Sequence, residues 1–209
     1  MSIEVEILDL GVNNLASLTK SVEAAEPRAL RVLQNSSESK GADLMILPGV
    51  GAFGAVVAEL QQRGFDELLS THVASGEYLM GICLGMQLLT ESSEETPGSP
   101  GLGFIPGNVT RLAPSENNPV PHVGWASVEI ASQDNAFPTL AQELDYYFVH
   151  SYVVDTTSSE NVLATTPFGP HTFASAIKKD NVVGFQFHPE KSSNPGKALR
   201  RDVLGWARG

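Results

Sequence analysis

The stretch that decides the fold is EYLMGICLGMQLLTE, residues 77–91. Residues 77–82 are mostly apolar and suit a buried strand, and residues 84–91 begin an apolar helix. A strand that passes directly into a helix is typical of the repeating unit of α/β proteins, in which the strands lie parallel. The sequence on both sides extends this pattern.

Alternating strands and helices are predicted for the first ninety residues. Leu15, Leu18 and Val22 form one stripe of a helix, with Asn13 or Asn14 as its cap. The other predicted helices cover residues 53–63 and 65–74, and the predicted strands cover residues 3–8, 29–33, 43–47 and 77–82.

The second half of the chain has a different composition and a different predicted secondary structure. A surface loop rich in Ser, Glu, Pro and Gly is expected over residues 92–103. Short strands with β-branched and aromatic content are predicted over residues 107–112, 124–130, 146–152, 162–165, 172–178 and 182–187. A closing helix begins with Asn194 as cap and Pro195 in the first turn. The sequence therefore predicts a single α/β domain over residues 1–209, with a mostly parallel central sheet flanked by helices and an antiparallel or mixed extension in the second half.

Composition excludes several classes of protein. With 209 residues and 42% hydrophobic side chains, the chain has material for a large core, which excludes a disordered protein. The net charge of −11 repels phosphate backbones and anionic lipids, so neither nucleic acid nor a membrane is expected as a partner. The single cysteine rules out an internal disulfide. Without a secretory signal or an uninterrupted apolar span, a cytoplasmic protein is expected.

The one cysteine lies in Gly81-Ile82-Cys83-Leu84-Gly85, which has the form of a nucleophile elbow. Glycines suit this turn because side chains two residues before and after the nucleophile would crowd a tight, strained backbone. The N-terminus of the following helix favours a thiolate. The alternative is that Cys83 is a small buried hydrophobe, as many lone cysteines are.

A cysteine nucleophile needs a base, and the segment Phe187-His188-Pro189-Glu190 offers one. Residues two apart on an extended segment point to the same side, so the Glu190 carboxylate can accept a hydrogen bond from the His188 imidazole and fix its tautomer. The other ring nitrogen is then free for a thiol. Alternatively, the tripeptide is a strand end with two solvated polar groups. Of the other histidines, His72 and His171 are expected at the surface, whereas His122 and His150 remain possible pocket residues.

A glycine-rich loop, Pro48-Gly49-Val50-Gly51, follows a predicted buried strand and precedes a helix. Its backbone N–H groups could form an oxyanion hole, with the N–H of Val50 and that of Leu84 as donors. The alternatives are a plain turn or a phosphate-binding loop, although the Lys and Ser/Thr of a Walker loop are missing. No Cys/His cluster has zinc spacing, and neither a metal nor a cofactor is expected.

Taken together, these segments resemble the class I (triad) glutamine amidotransferase family. The elbow and His-Pro-Glu carry the superfamily resemblance. Three further segments are most similar to the glutaminase subunits of imidazole glycerol phosphate synthase: Pro-Gly-Val-Gly-Ala-Phe over 48–53, Pro-His-Val-Gly-Trp over 121–125 and Tyr-Phe-Val-His-Ser-Tyr over 147–152. Residues 101–107 and 184–192 also match. One segment departs, because residues 9–15 read DLGVNNL where the family has a pattern like Asp-Tyr-Gly-x-Gly-Asn-Leu; Leu10 and Asn13 replace the tyrosine and a glycine.

The resemblance implies a role for each matched residue. Cys83 attacks the side-chain amide of glutamine, His188 protonates the leaving ammonia and then activates water, and Glu190 orients His188. The residues that match glutamine-holding positions are Gly51, Gln87, Ser151 and Tyr152, although ordinary strand packing would also explain Ser151 and Tyr152. Trp125 and Lys191 are expected to face a partner.

The partner that the resemblance implies is a (β/α)₈ cyclase subunit, bound as a heterodimer. Ammonia would pass through its interior to a phosphorylated nucleotide, and the products would be imidazole glycerol phosphate, an aminoimidazole carboxamide ribotide and glutamate. Other hypotheses remain open at this point: a stand-alone hydrolase of γ-glutamyl compounds, an amidotransferase subunit of another pathway, or a degenerate subunit that only scaffolds its partner.

Overall fold

The computed structural model describes residues 3–11, 15–132, 134–142 and 144–209, so the cap expected at Asn13 or Asn14 lies outside the described residues. The strands are β1 Glu4–Leu8, β2 Ala29–Leu33, β3 Leu44–Gly49, β4 Tyr78–Cys83, β5 Ser92–Ser93, β6 Gly107–Arg111, β7 His122–Ser127, β8 Glu129–Ile130, β9 Asp145–His150, β10 Tyr152–Thr156, β11 Val162–Phe168, β12 His171–Lys179 and β13 Val182–Phe185. The α-helices are α1 Leu15–Glu23, α2 Phe53–Gln62, α3 Phe65–Ala74, α4 Leu84–Leu88 and α5 Ser193–Trp206.

One large mixed sheet runs through the molecule in the order β2-β1-β3-β4-β13-β12-β10-β6-β5, with β11 and β8 attached beyond β12. The strands β2, β1, β3, β4 and β13 pair in parallel. The pairs β13–β12, β12–β10 and β10–β6 are antiparallel, and β6 pairs in parallel with β5. β7 and β9 form a separate antiparallel pair, called here the β7–β9 ribbon. These pairings confirm the predicted α/β fold with its antiparallel extension.

Helices cover both faces of the parallel part because its strands are apolar on both sides. Leu44 and Ile46 of β3 pack in the cluster that includes the buried faces of α1 and α5, whereas Met45 and Leu47 pack in the cluster that includes α2, α3 and α4. Among the described helices, none is both long and apolar enough to cross a bilayer.

The carboxyl ends of three neighbouring parallel strands lie at one edge of the sheet. Gly49, at the end of β3, is in register with Cys83, at the end of β4. Ile82 of β4 is in register with Phe185, the last residue of β13. The residues that follow these strands therefore meet at a single edge, which is where ligands bind in open α/β sheets.

Some predicted boundaries were wrong. The single strand expected over residues 146–152 is two strands, because the chain leaves the β7–β9 ribbon at Ser151 and enters the large sheet as β10. Likewise, the strand expected over 124–130 begins at His122 and is interrupted between β7 and β8. A change of sheet leaves no mark on the alternation of apolar residues along a strand.

Two helix ends also differ from the prediction. α4 ends at Leu88 instead of extending to residue 91, and α5 begins at Ser193, so Asn194 lies inside the helix and is not its cap. Pro195 is still in the first turn of α5, where its missing N–H costs no helical hydrogen bond.

Candidate active site

The backbone at Cys83 is strained in the way a nucleophile elbow requires. Cys83 ends β4 and directly precedes α4, and its φ of +55° is rare for a residue with a side chain. A Cβ added to Gly85 would lie 1.9 Å from the carbonyl oxygen of Leu47, and one added to Gly81 would lie 2.6 Å from the carbonyl oxygen of Gly85. Both glycines are therefore required by the close approach of the elbow to its own strand and to β3.

His188 and Glu190 form a buried hydrogen-bonded pair. Nδ1 of His188 donates to Oε1 of Glu190 over 2.9 Å, and the two side chains are only 3% and 4% exposed. A carboxylate only accepts hydrogen bonds, so this bond places a proton on Nδ1. Nε2 is then the ring nitrogen that is available to exchange a proton with another group. Nε2 is buried and makes no fully formed hydrogen bond among the described residues. The Cys83 thiol is nevertheless close enough to the ring to act on its pKa.

The charges of this cluster stabilise a protonated imidazole. Burial alone would lower the pKa of His188, but its interactions with Cys83 and with Glu190 outweigh burial and raise this pKa to about 9. Burial would likewise raise the pKa of Glu190, but the hydrogen bond from His188 outweighs it and holds this pKa below its usual value. An imidazolium beside a thiol favours the thiolate form, which is the nucleophile.

The peptide that carries His188 and Glu190 is fixed on two sides. The N–H of His188 donates to the carbonyl of Tyr147 in β9, and the Ser192 hydroxyl donates to the carbonyl of His188. From α5, the Arg200 guanidinium donates to the carbonyl of Pro189 over 2.9 Å. The β7–β9 ribbon and α5 therefore hold His188 and Glu190 in place together.

A cavity of about 290 Å³ opens at Cys83. Its lining contains every residue for which oxyanion or glutamine contacts were expected, namely Val50, Gly51, Leu84, Gln87, Ser151 and Tyr152, together with Glu95, Val149 and His150. The cavity is large enough to hold an amino acid. Its wall includes residues at or next to the carboxyl ends of β3, β4 and β9.

Glu95, the one carboxylate in this lining, was not predicted from the sequence. Its Oε2 accepts a hydrogen bond from the backbone N–H of Phe53 at the start of α2, over 2.8 Å. Glu95 therefore connects the loop over residues 92–103 to the helix that follows the glycine-rich loop. No local pattern distinguishes Glu95 from Glu91 and Glu94, so only the tertiary structure identifies it.

The amide of Gln87 is already used within the protein. Its Nε2 donates to the carbonyl of Tyr152 over 3.0 Å and to Oε1 of Gln186 over 3.1 Å. Both of its N–H groups are thereby occupied, and its Oε1 is the group left for a ligand.

The remaining histidines are not candidates for the base. His150 Nδ1 donates to the carbonyl of Tyr152, and its Nε2 accepts from Nδ1 of His122 over 3.1 Å. Burial lowers the pKa of His150 to about 3 and also lowers that of His122, so both rings are neutral. The expectation for His72 was wrong: it is buried at the end of α3 and its Nε2 donates to the carbonyl of Tyr78. His171 is exposed, as expected.

Trp125 and Lys191 lie on the surface outside the cavity. On the β7–β9 ribbon, Trp125 is 52% exposed and Val123 is 57% exposed. Trp125 contacts the ring of Tyr147, and the ammonium group of Lys191 lies 5.8 Å from the centre of the same ring. We call the exposed Val123, Trp125, Val149 and Lys191, together with the partly buried Tyr147, the ribbon patch.

Comparisons with known proteins agree with this geometry. A model of the glutamine amidotransferase class-I family matches residues 6–204. Imidazole glycerol phosphate synthase subunit HisH of Chlorobium chlorochromatii (strain CaD3) is 42% identical over 192 residues, which are 92% of this chain and 94% of that protein. The subunit HisH of Pyrococcus furiosus is 38% identical over 198 residues, covering 95% of this chain and 96% of that protein.

Solved structures share the fold. A glutamine amidotransferase crystal structure superposes with a TM-score of 0.75 at 19% identity, covering 98% of this chain and 99% of that one. The structure of PurLQS from Thermotoga maritima superposes with a TM-score of 0.71 at 16% identity, covering 99% of each chain. The family model and the close sequence relatives establish that this chain belongs to the class-I glutamine amidotransferase family.

Proposed function

We propose that this chain is the glutaminase subunit of an imidazole glycerol phosphate synthase, hydrolysing glutamine and supplying the ammonia to a cyclase subunit in histidine biosynthesis. The observation that carries the proposal is that the only thiol of the chain, at Cys83, lines a cavity of about 290 Å³ and also interacts with the hydrogen-bonded His188–Glu190 pair. Relatives that match over nearly the whole chain are named as HisH subunits of that synthase. We take residues 1–209 as a single amidotransferase domain, because strands of both halves share one sheet.

The reaction begins at Cys83. Its thiolate attacks the side-chain carbonyl carbon of glutamine, and the carbonyl oxygen takes up the negative charge. When the C–N bond breaks, His188 gives its Nε2 proton to the leaving nitrogen, and ammonia departs from a γ-glutamyl thioester. His188 then takes a proton from water, which attacks the thioester, releases glutamate and restores the sulfur. Glu190 keeps the ring in one orientation and stabilises its cationic form.

The oxyanion would be held by two backbone donors. Leu84 is the first residue of α4, so its N–H has no partner within the helix. Val50 belongs to the loop after β3, and its neighbour Gly51 has a φ of +108°, a conformation that glycine adopts without strain. Both loops line the cavity beside Cys83, which supports this assignment.

The substrate would lie with its α-amino and carboxylate groups toward the rest of the lining. Glu95 is the carboxylate that suits the α-ammonium group, and Gln87 Oε1 is an acceptor for a substrate N–H. Gly51, Ser151 and Tyr152 lie around the same volume and would complete the contacts.

The cyclase, a (β/α)₈ barrel in a heterodimer with this chain, would cover the ribbon patch. Trp125 and Val123 are large exposed apolar side chains on one ribbon face, and an aromatic residue of this kind is a typical interface anchor. The net charge of −11 agrees with a division of labour in which the phosphorylated nucleotide binds the other subunit.

Docking at this patch would reach the active site through β9. The carbonyl of Tyr147 accepts from the N–H of His188, and the carbonyl of Val149 contacts the Cys83 thiol over 3.8 Å. A partner that changes the position of the ribbon would therefore act on both the base and the nucleophile.

The test is glutamate release by the purified chain, measured alone, with the cyclase subunit, and with the cyclase subunit plus its nucleotide ligand. The proposal predicts slow hydrolysis alone and strong acceleration in the ternary mixture. Equal turnover in all three conditions, or a preference for γ-glutamyl peptides over glutamine, would instead indicate a stand-alone hydrolase. Absence of turnover in all three would indicate a scaffold.

A further inference from the structure

Gln186 is a fully buried polar residue between two core phenylalanines. It follows β13 directly, its exposed fraction is 0%, and its neighbours Phe185 and Phe187 are both buried. Its backbone N–H is paired with the carbonyl of Ser175, so the backbone is satisfied without the side chain. An amide group in such surroundings is costly unless its own donors and acceptors are paired.

The partners of the Gln186 amide are Gln87 and the catalytic sulfur. Its Oε1 accepts from Nε2 of Gln87 over 3.1 Å, and its Nε2 lies 3.8 Å from Sγ of Cys83. This orientation follows from the neighbouring groups. The carbonyl of Tyr152 can only accept a hydrogen bond, so the Gln87 side-chain atom that faces it must be Nε2. The second N–H of Gln87 Nε2 needs an acceptor, so the Gln186 atom that faces it must be Oε1. Nε2 of Gln186 therefore faces the sulfur.

Two contacts of the sulfur favour opposite protonation states. The carbonyl of Val149, 3.8 Å away, accepts from the S–H of a neutral thiol and repels a thiolate. An N–H donor acts in the opposite sense, because it stabilises a negatively charged sulfur. The hydrogen bond from Gln186 therefore offsets the effect of the Val149 carbonyl.

We propose that Gln186 is a catalytic residue that donates its Nε2–H to Cys83 and favours the nucleophilic thiolate, with Gln87 fixing the direction of the donor. The inference rests on the proposed glutaminase function and adds a fourth group to Cys83, His188 and Glu190. When the sulfur attacks, its charge moves to the substrate oxygen and the bond from Gln186 weakens. The bond is restored when water cleaves the thioester and the thiolate returns.

Other ionisable groups lie near Cys83. His188 and Glu190 lie on the segment after β13, His150 ends β9, and Glu95 lines the same cavity. Gln186 differs from them because an amide does not titrate. Replacing Gln186 with a residue that does not titrate therefore changes the electrostatic field at the sulfur but adds no new titration step to the pH profile. An acidic replacement would add one.

The experiment uses alkylation of the full-length chain by iodoacetamide as a function of pH, without glutamine. Cys83 is the only cysteine, so every label reports on it. Gln186→Met removes the donor at similar length, and Gln186→Glu keeps the acceptor for Gln87 but replaces the donor with a carboxylate. Ser175→Ala is the matched control, since this neighbouring hydroxyl is buried and has no hydrogen-bond partner among the described residues.

We expect the pH midpoint of alkylation to rise in Gln186→Met, to rise further in Gln186→Glu, and to stay unchanged in Ser175→Ala. With the cyclase present, kcat for glutamine should fall about tenfold in Gln186→Met with little change in KM, the effect of losing one hydrogen bond to a charged group. Wild-type alkylation profiles in both Gln186 variants would overturn the inference. If instead the wild-type chain never releases glutamate, the proposed function fails, and the alkylation profiles still decide the role of Gln186.

A second measurement needs no variant to fold. In the ¹⁵N-labelled wild-type chain, the side-chain amide signal of Gln186 should shift with pH at the midpoint found for alkylation, and should move when Cys83 is alkylated. A signal that does neither would also overturn the inference.

Discussion

The elbow around Cys83 and the β7–β9 ribbon meet at Cys83, yet they are built in opposite ways. The elbow residues are buried apart from the cavity at Cys83, and a Cβ at Gly85 would lie only 1.9 Å from the backbone of β3. The ribbon has one face packed with aromatic rings, among them Phe148 against His122, and another face on which Trp125 is 52% exposed. Among the described strands, β7 and β9 pair only with each other.

This difference matches two requirements of the partner-dependent enzyme that we propose. The nucleophile needs a fixed backbone, which close packing at the end of β4 supplies. In the proposed function, the contact with a partner needs an exposed surface that also reaches the active site, and the carbonyls of Tyr147 and Val149 would provide that link. Four predictions test the contrast, from the largest effect to the smallest.

Removing the nucleophile should leave the ribbon intact. For Cys83→Ala we expect glutamine hydrolysis to fall by at least about a thousandfold, as when a covalent catalyst loses its nucleophile. Binding of the cyclase and synthesis fed by external ammonia should be unchanged, because the ribbon patch does not include the sulfur. Turnover would be measured by glutamate release; a variant with wild-type turnover would disprove the assignment of the nucleophile.

The rigidity of the elbow should appear as a stability difference between two glycines. Gly85→Ala should lower the free energy of unfolding by about 2 kcal/mol or more, because the new methyl group overlaps the carbonyl of Leu47. Gly205→Ala, in α5 with no atom within 4 Å of the added Cβ, should instead raise it by about 0.5–1 kcal/mol. Urea unfolding of both variants gives the comparison. Equal free energies of unfolding for the two variants would mean that the backbone of the elbow can shift to accommodate the added methyl group.

On the ribbon, Trp125→Ala should weaken cyclase binding by about thirtyfold, the loss of roughly 2 kcal/mol typical of an interface anchor. Its glutaminase turnover without the partner should stay within about twofold of wild type, because Trp125 does not line the cavity. Val32→Ala is the control, as a half-exposed apolar residue on the distant edge strand β2. Titration calorimetry measures the affinity of each variant for the cyclase. Equal effects of the two substitutions would show that the ribbon patch is not part of the interface.

The smallest effect concerns the pair that joins the two regions. In Glu190→Gln the stabilisation by the imidazolium–carboxylate pair is lost, about 1.5 kcal/mol, at the lower end of the range for a hydrogen bond to a charged group. Because the pKa of His188 is raised to about 9 and that of Glu190 is lowered, the pair contributes fully above the ordinary carboxyl pKa and below the ordinary imidazole pKa.

That contribution declines as the pH rises through about 9 and as it falls below the ordinary carboxyl range. The stability difference between wild type and Glu190→Gln should therefore be larger at about pH 6 than at about pH 10. Urea unfolding at both values measures it. A difference that grows with pH would contradict the direction of the His188 shift.

The parallel half of the fold was predictable because its local signals agree with its tertiary environment. β2 covers residues 29–33 and α3 covers Phe65–Ala74, as the sequence analysis predicted. Strands buried on both faces are continuous apolar runs, and the glycines and helix starts between them mark the turns. The elbow was recognisable for the same reason, since its glycines are required by local sterics.

The antiparallel half was harder to predict because pairing there is decided at long range. Nothing near Ser151 signals that β9 belongs to the ribbon and β10 to the large sheet. Similarly, Glu95 and the orientation of Gln186 depend on atoms from distant segments, Phe53 in one case and Gln87 and Cys83 in the other. Such contacts join residues that are far apart in the sequence, so no local sequence pattern predicts them.

The central claim is that Cys83, activated by His188, carries the glutamyl group. It is tested most directly by mixing the chain and its cyclase with glutamine, quenching in acid within the first turnovers, and mapping the protein by mass spectrometry. We predict a γ-glutamyl adduct on the peptide that contains Cys83, absent from Cys83→Ala. Full glutamate release with no adduct on that peptide would contradict the account.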